Sequence, residues 1–208
     1  MSSRAEIKAY AKEQFKAQRG TSIIIVLLLF IISAVCGGAS VILIGGIAGI
    51  FVVPVIIIGA NFAFLRIYRG EKVDVTALFS KFSGQYLRCL GGYWWMALFA
   101  WLWSMLFVIP GIIKGLSYMM TPYILAECPN VPAKEALKLS MRMTKGHKGK
   151  LFVVGLSFIG WLMLSSLTFG ILLIVYVGPY MQCTWAGYYE ELREEAFRTG
   201  AISPEELA

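Results

Sequence analysis

Between Thr21 and Leu65 the chain carries no charged residue, and over its whole length only 15% of residues are charged while 58% are hydrophobic. Soluble domains have about a quarter charged residues, so the ordinary water-soluble class is excluded. Histidine is scarcer still. His147 stands alone, which rules out a multi-histidine metal site and leaves any Ser-His-Asp arrangement dependent on that one residue. The four cysteines, Cys36, Cys89, Cys128 and Cys183, are far apart and form no C-x-x-C pair, so neither a zinc or dithiol redox motif nor a disulfide framework is expected. No nucleotide-binding loop and no clustered nucleophile and base occur. The sequence therefore nominates no catalytic residue, no metal ligand and no cofactor.

What the chain has in abundance is apolar length. The 45 residues from Thr21 to Leu65 form a helix of about 67 Å if unbroken, against a hydrocarbon core of about 30 Å, so the run must fold back. Gly37-Gly38-Ala39-Ser40 is the clustered helix-weakening site near its middle and is the expected outer turn. Pro110-Gly111 marks a second outer turn and Thr168-Phe169-Gly170 a third. The fold class that follows is all-α: a polytopic membrane bundle of six helices in three hairpins, with spans over 21–36, 41–65, 89–108, 112–126, 151–166 and 171–189. An amphipathic helix occupies 1–20, and a charged tail 190–208. No cleavage site of the Ala-x-Ala type follows the basic N-terminal segment, so Thr21 is expected to begin a retained span.

The net charge of +7 is distributed unevenly. Lys and Arg number five in residues 1–20, five in 66–88, six in 127–150 and two in the tail, while the three outer turns carry only Lys114; eighteen of nineteen thus fall on one side of the six-span arrangement. The positive-inside rule places both termini and both long connections in the cytoplasm. Such blocks favour the anionic inner-leaflet surface over nucleic acid, at about 1 kcal/mol for each cation close to the lipid. A membrane protein partner or a homo-oligomer is the further partner class open to this face.

Several residues stand out within this frame. Ile7, Tyr10, Ala11 and Phe15 share one face of a basic N-terminal helix that suits the interface plane, or serves as a solvated lead-in to the first span. Asp74 is placed to cap a short helix carrying Leu78, Phe79 and Phe82. Pro132 starts a second amphipathic helix whose face carries Ala133, Ala136, Leu137, Ser140, Met141 and Thr144. Lys145, His147, Lys148 and Lys150 form a glycine-broken basic turn suited to lipid headgroups or a partner, with a plain positive-inside stop signal as the alternative. Gly45 and Gly49 form a small-xxx-small pair. Trp94 and Trp95 sit where an aromatic belt is expected. Glu127 is placed to pair with Lys134, His147 or an N-terminal lysine, and Lys114 to snorkel outward.

Pro54, Pro122 and Pro179 are expected to kink spans two, four and six. The carbonyl that each proline frees needs a partner from a neighbouring helix or water. Asn61, Thr121, Gln182 and Thr184 lie close to these prolines and would line any central cavity. The pairs Pro122-Tyr123 and Pro179-Tyr180, together with the similar connections after spans two and four, suggest three hairpins of common ancestry; the alternative is that proline is simply ordinary in membrane helices.

The central stretch resembles a bacterial integral-membrane family known as domain of unknown function 975. The likeness is carried by Tyr123-Ile124-Leu125-Ala126-Glu127 with Pro129, Ala136-Leu137 with Ser140, Lys145-Gly146-His147-Lys148, and Leu151-Phe152. It continues through Leu156 to Trp161, Thr168 with Gly170-Ile171, Pro179-Tyr180, the Lys8 to Lys12 region, and Leu65 with Arg69-Gly70-Glu71. The resemblance implies a bacterial plasma-membrane protein of several spans and carries no activity with it. A fainter likeness is to the membrane-spanning part of some glycerophosphodiester phosphodiesterases, without their catalytic domain. The reading that leads is a non-enzymatic membrane protein binding lipid or a partner through its basic face. A small-solute or lipid transporter with a site between spans two, four and six comes second, and an intramembrane enzyme third.

Overall fold

A computed structural model describes residues 4–38, 43–106 and 108–207. Every regular element among the described residues is helical: α1 (Arg4–Ala17), α2 (Arg19–Gly38), α3 (Leu43–Tyr68), α4 (Tyr86–Leu106), α5 (Val108–Tyr118), α6 (Thr121–Glu127), α7 (Ala133–Met143), α8 (Lys148–Leu167) and α9 (Gly178–Arg198). Short 3-10 turns occur at Val75–Phe79 and Pro204–Leu207, and a π-helical turn at Leu173–Val177 leads into α9.

Among the described residues three stretches are long and apolar enough to cross a membrane: Arg19–Gly37, Gly49–Tyr68 and Lys148–Leu167. Only 11% of the first and 22% of the third is buried inside the protein, against 61% of the second. α3 is therefore the core element, whereas α2 and α8 stand outside it with apolar side chains such as Phe30, Ile31, Leu162 and Met163 exposed. Apolar surface this continuous marks a membrane or protein contact.

Along α3, Val55, Ile58 and Leu65 enter one buried cluster with α6 and α9, while Ile56, Ala60, Phe64 and Ile67 enter another with α1 and α2. The apolar stripe of α1 is covered by protein: Ile7, Ala11 and Phe15 are buried. Ile7 meets α9 at Gly187, where a Cβ would lie 2.9 Å from Ile7 and 2.5 Å from the Tyr68 ring. Phe15 stacks edge-on against Tyr176.

The expected fourth span, 112–126, is two helices. α5 and α6 have 11 and 7 residues, about 16 and 10 Å long, and the chain turns at Met119 and Met120. Pro122 is the cause. It lies in the first turn of α6, where a missing N–H is no loss, and the Met120 carbonyl accepts from both Tyr123 and Ile124. Pro122 thus opens a helix instead of kinking one.

The turn expected at Pro110-Gly111 is not there, because both residues lie in the first turn of α5, again a position that suits proline. A Cβ on Gly111 would stand 2.7 Å from Ser104 Oγ, so the glycine permits the close crossing of α4 and α5. Passage between those helices falls at residue 107, outside the described residues. The first outer turn lies partly outside them too: α2 runs through Gly38 and α3 begins at Leu43, with 39–42 undescribed. Gly45 lies in α3 with its surroundings undescribed, while a Cβ on Gly49 would sit 3.5 Å from the Cys36 Cβ. A turn does stand at Thr168-Phe169-Gly170, as expected, closed by Gly170 N–H donating to the Ser165 carbonyl at 2.9 Å.

Pro54 lies inside α3 without ending it. Pro179 follows directly on the π-helical turn, in which Gly178 N–H donates to the Leu173 carbonyl. The widened turn makes room for the proline ring.

Both polar connections fold against the bundle. Asp74 caps the 3-10 turn, accepting from Val75 N–H at 2.7 Å and from the Thr76 hydroxyl at 3.1 Å, and Leu78 is buried while Phe79 is exposed. α7 buries Ala136, Leu137, Leu139, Ser140 and Met143. Its Ser140 hydroxyl donates to the Ser117 carbonyl at the end of α5 at 2.7 Å, supplying a partner for a carbonyl that has none within its own helix.

Candidate functional site

The polar segments converge on one end of the bundle, where ion pairs join three helices. α3 closes with Gly70 at φ 79°; Glu71 N–H donates to the Arg66 carbonyl and Gly70 N–H to that of Ile67, both at 3.0 Å. This left-handed ending favours glycine and sets Arg69 immediately after the helix's last residue, Tyr68. Arg69 Nε meets Glu190 Oε1 at 2.5 Å, and its Nη2 donates to Glu127. Glu127 ends α6. Its Oε1 also accepts from Arg193 Nη1 at 2.5 Å and its Oε2 from the Tyr189 hydroxyl at 2.7 Å. Arg193 Nη2 lies 3.5 Å from Glu190 Oε2, one helical turn earlier on α9.

The cluster is two guanidinium groups against two carboxylates. Burial pushes the Glu127 carboxyl up, but donation by Arg193, Arg69 and Tyr189 outweighs it and holds the group below its ordinary range. Tyr123 of α6 stacks on Tyr189 with ring centroids 5.3 Å apart, so an aromatic floor underlies the charges. Chemically this is a neutral clasp, with every carboxylate oxygen of Glu127 engaged.

The expected partners of Glu127, namely Lys134, His147 and an N-terminal lysine, are thus replaced by Arg69 and Arg193. Arg193 belongs to the charged tail expected at 190–208, through whose first part α9 continues to Arg198, and its guanidinium reaches Glu127 at the end of α6. Lys134 instead stands over the Trp95 ring at 5.0 Å, and Lys114 over Trp103 at 4.8 Å. Lys8 of α1 donates to Ser157 of α8 at 2.5 Å and lies over the Phe158 ring at 4.4 Å.

The basic turn joins α7 to α8. Lys145 and Lys150 are exposed, and His147 and Lys148 are half-buried. Gly146, at φ 87°, reverses the chain between α7 and α8. His147 caps α8 through its backbone, with no side-chain cap on the helix's first amides, and its Nδ1 is buried without a partner. Arg142 on α7 reaches the Glu206 carboxylate at 2.7 Å and the Ala201 carbonyl at 2.9 Å, which ties the C-terminal turn to the same end.

The residues expected around a central cavity are placed as follows. Asn61, Thr121 and Thr184 are buried and Gln182 is half-buried. Thr184 donates to the Tyr180 carbonyl of its own helix at 2.8 Å, and the Thr121 hydroxyl has no partner. Ile58, Leu65, Tyr123, Ile124, Ala186 and Tyr189 pack together between α3, α6 and α9. Sequence reasoning also missed Arg88, whose guanidinium donates to the carbonyls of Leu125, Cys128 and Val131 at 2.5, 2.8 and 2.6 Å. Those carbonyls belong to the end of α6 and the turn beyond it, where acceptors lack helical partners.

Among the described residues no group of three His, Cys, Asp or Glu side chains could hold a metal ion. A helical protein with apolar membrane-length helices and one ion-clasped, basic end is the class that these features define. The chain belongs to the family described as protein of unknown function DUF975, whose model matches residues 1–114 and 105–196. No curated protein and no solved structure matches it, and the likeness to the phosphodiesterase membrane region finds no support in these comparisons.

Proposed function

We propose that this protein is a non-enzymatic six-span protein of the bacterial plasma membrane, with both termini in the cytoplasm. Its basic cytoplasmic face binds anionic lipid headgroups, through Lys145, His147, Lys148 and Lys150. The observation that carries the reading is the sorting of charge: eighteen of nineteen Lys and Arg residues lie in the segments assigned to that face. Each cation near an anionic surface contributes about 1 kcal/mol, so the face as a whole is held firmly to such a leaflet. The clasp of Arg69, Glu127, Glu190 and Arg193 keeps the ends of α3, α6 and α9 together and leaves the lysines of the basic turn outside the neutral cluster. Tight packing of Tyr123 on Tyr189 supports this reading over a transport pathway between α3, α6 and α9.

The test is lipid retention. Protein purified from mixed anionic and zwitterionic nanodiscs should carry anionic lipid in excess, and the triple change Lys145→Glu, Lys148→Glu and Lys150→Glu should remove that excess in a salt-dependent way. Unchanged retention overturns the headgroup reading. A reporter fused after Ala208 should remain inside the cell, and its export would overturn the orientation.

A further inference from the structure

We propose that a groove between α8, α5 and α9 seats an acyl chain of an anionic inner-leaflet phospholipid, with its headgroup held at the start of α8. The proposal rests on the headgroup reading above and adds where the rest of the lipid lies. A groove of about 210 Å³ runs between α8, the end of α5 and α9, lined by Leu116, Met119, Leu151, Phe152, Ile159 and Trp185. Its lining is apolar throughout.

Three observations assign it this occupant. First, helical spacing puts Lys148 at the head of the stripe. It stands three and four residues before Leu151 and Phe152, on the side that continues through Gly155 to Ile159. A cation above an apolar channel matches an anionic amphiphile and gives no advantage to a zwitterionic one. Second, the helix begins there with no side-chain cap, and a helix start favours negative charge. Third, the depth fits. From Leu151 to Ile159 the helix rises about 12 Å, close to the roughly 15 Å of one leaflet's hydrocarbon.

Gly155 lies midway along the channel, and a Cβ there would meet nothing within 4 Å. The glycine is not needed for helix packing. It leaves the channel open, and a side chain at this position starts into open space.

The experiment uses the full chain in nanodiscs of zwitterionic phospholipid containing a small fraction of phosphatidylglycerol brominated in its acyl chains. Bromine quenches indole fluorescence on contact, and Trp185 is the groove's own reporter. Wild-type protein should be quenched more by this lipid than by the same fraction of brominated zwitterionic lipid, Trp185→Phe should lose most of that excess, and Gly155→Phe should lose it while retaining a native circular dichroism spectrum. Lys148→Gln should raise the lipid fraction needed for half-quenching about fivefold, the factor that corresponds to about 1 kcal/mol. Equal quenching by brominated zwitterionic lipid, or quenching unchanged in both Trp185→Phe and Gly155→Phe, overturns the groove. If Gly155→Phe does not fold, Gly155→Leu takes its place, and the Trp185→Phe comparison decides without either. Retention that falls in the triple lysine variant while quenching ignores Gly155 and Trp185 would leave the headgroup reading standing and remove this one.

Discussion

The indole N–H of Trp94 donates to the backbone carbonyl of Ile50 at 2.9 Å. Ile50 is four residues before Pro54 within α3, so its carbonyl is the one that the proline leaves without a helical donor. A tryptophan whose spacing suggests a membrane-interface anchor therefore repairs a neighbouring helix as well. Close by, the Tyr86 hydroxyl donates to the Phe51 carbonyl at 3.1 Å, so α4 attends to two carbonyls of the same turn.

Replacing Trp94 by Phe should lower stability by about 1–3 kcal/mol, the usual effect of leaving an acceptor unsatisfied. Pro54→Ala restores the missing N–H, and in that background Trp94→Phe should cost less than half as much. Thermal unfolding of the four proteins in one detergent gives the coupling. Additive effects would mean that the indole bond does not compensate for the proline.

The clasp predicts an acid-sensitive stability. Burial opposes ionisation of Glu127, but Arg193, Arg69 and Tyr189 outweigh it and lower its pKa in the folded state. An unfolded Glu titrates near about 4.3. A depressed folded value means that the contribution is complete above the unfolded pKa, shrinks as pH falls below it, and is gone once the folded pKa is passed. Glu127→Gln should thus be less stable by about 1–3 kcal/mol at neutral pH, short of the 3–5 typical of deeply buried pairs, because Arg69 and Arg193 retain 29% and 26% exposure. Its difference from wild type should vanish in acid. A constant gap between the two proteins from pH 7 to pH 3 would refute this assignment.

Much of the architecture was legible because apolar length and charge sorting are local in sequence. Thr21 to Leu65 had to reverse, and the turn at Thr168-Phe169-Gly170 falls where its residues indicated. The break between α5 and α6 was not legible, since Pro122 reads equally as a kink or as a helix opening until the packing at Met120 is known. Glu127 could be singled out, but its partners could not: Arg69 lies 58 residues before it and Arg193 66 after, and no periodicity links such positions. Arg88 looked like one more positive-inside charge. Its three short hydrogen bonds go to backbone carbonyls, which leave no trace in side-chain identity.

Arg88 gives a sharper expectation than stability alone. Its fork holds the end of α6 and the turn after it by three carbonyls, and Cys128 lies buried in that turn with its thiol pushed up to about 11 by burial and by the Glu127 charge. Arg88→Ala should free the turn, so that Cys128 reacts with maleimide at least about tenfold faster, as local opening of a few kcal/mol becomes easier. Arg88→Lys should restore only part of the protection, because one ammonium cannot reproduce the planar fork. Labelling located by peptide mass spectrometry reads this directly, and equal rates in wild type and Arg88→Ala would show that the fork does not secure the turn.

Gly59 tests whether the connection after α3 is truly docked on the bundle. The 3-10 turn Val75–Phe79 lies against α3 so closely that a Cβ on Gly59 would stand 2.0 Å from the Leu78 carbonyl oxygen. Backbone cannot move aside as a flexible side chain can, so Gly59→Ala must push the turn away and loosen the buried Leu78. The expected loss is about 1–3 kcal/mol or more, as for overpacked cores. Gly155→Ala is the matched control, because its new methyl meets nothing within 4 Å and Ala is the better helix former. In thermal unfolding, Gly59→Ala should fall well below wild type and Gly155→Ala should equal or exceed it. Similar midpoints for the two variants would show that α3 does not carry the 3-10 turn at this distance.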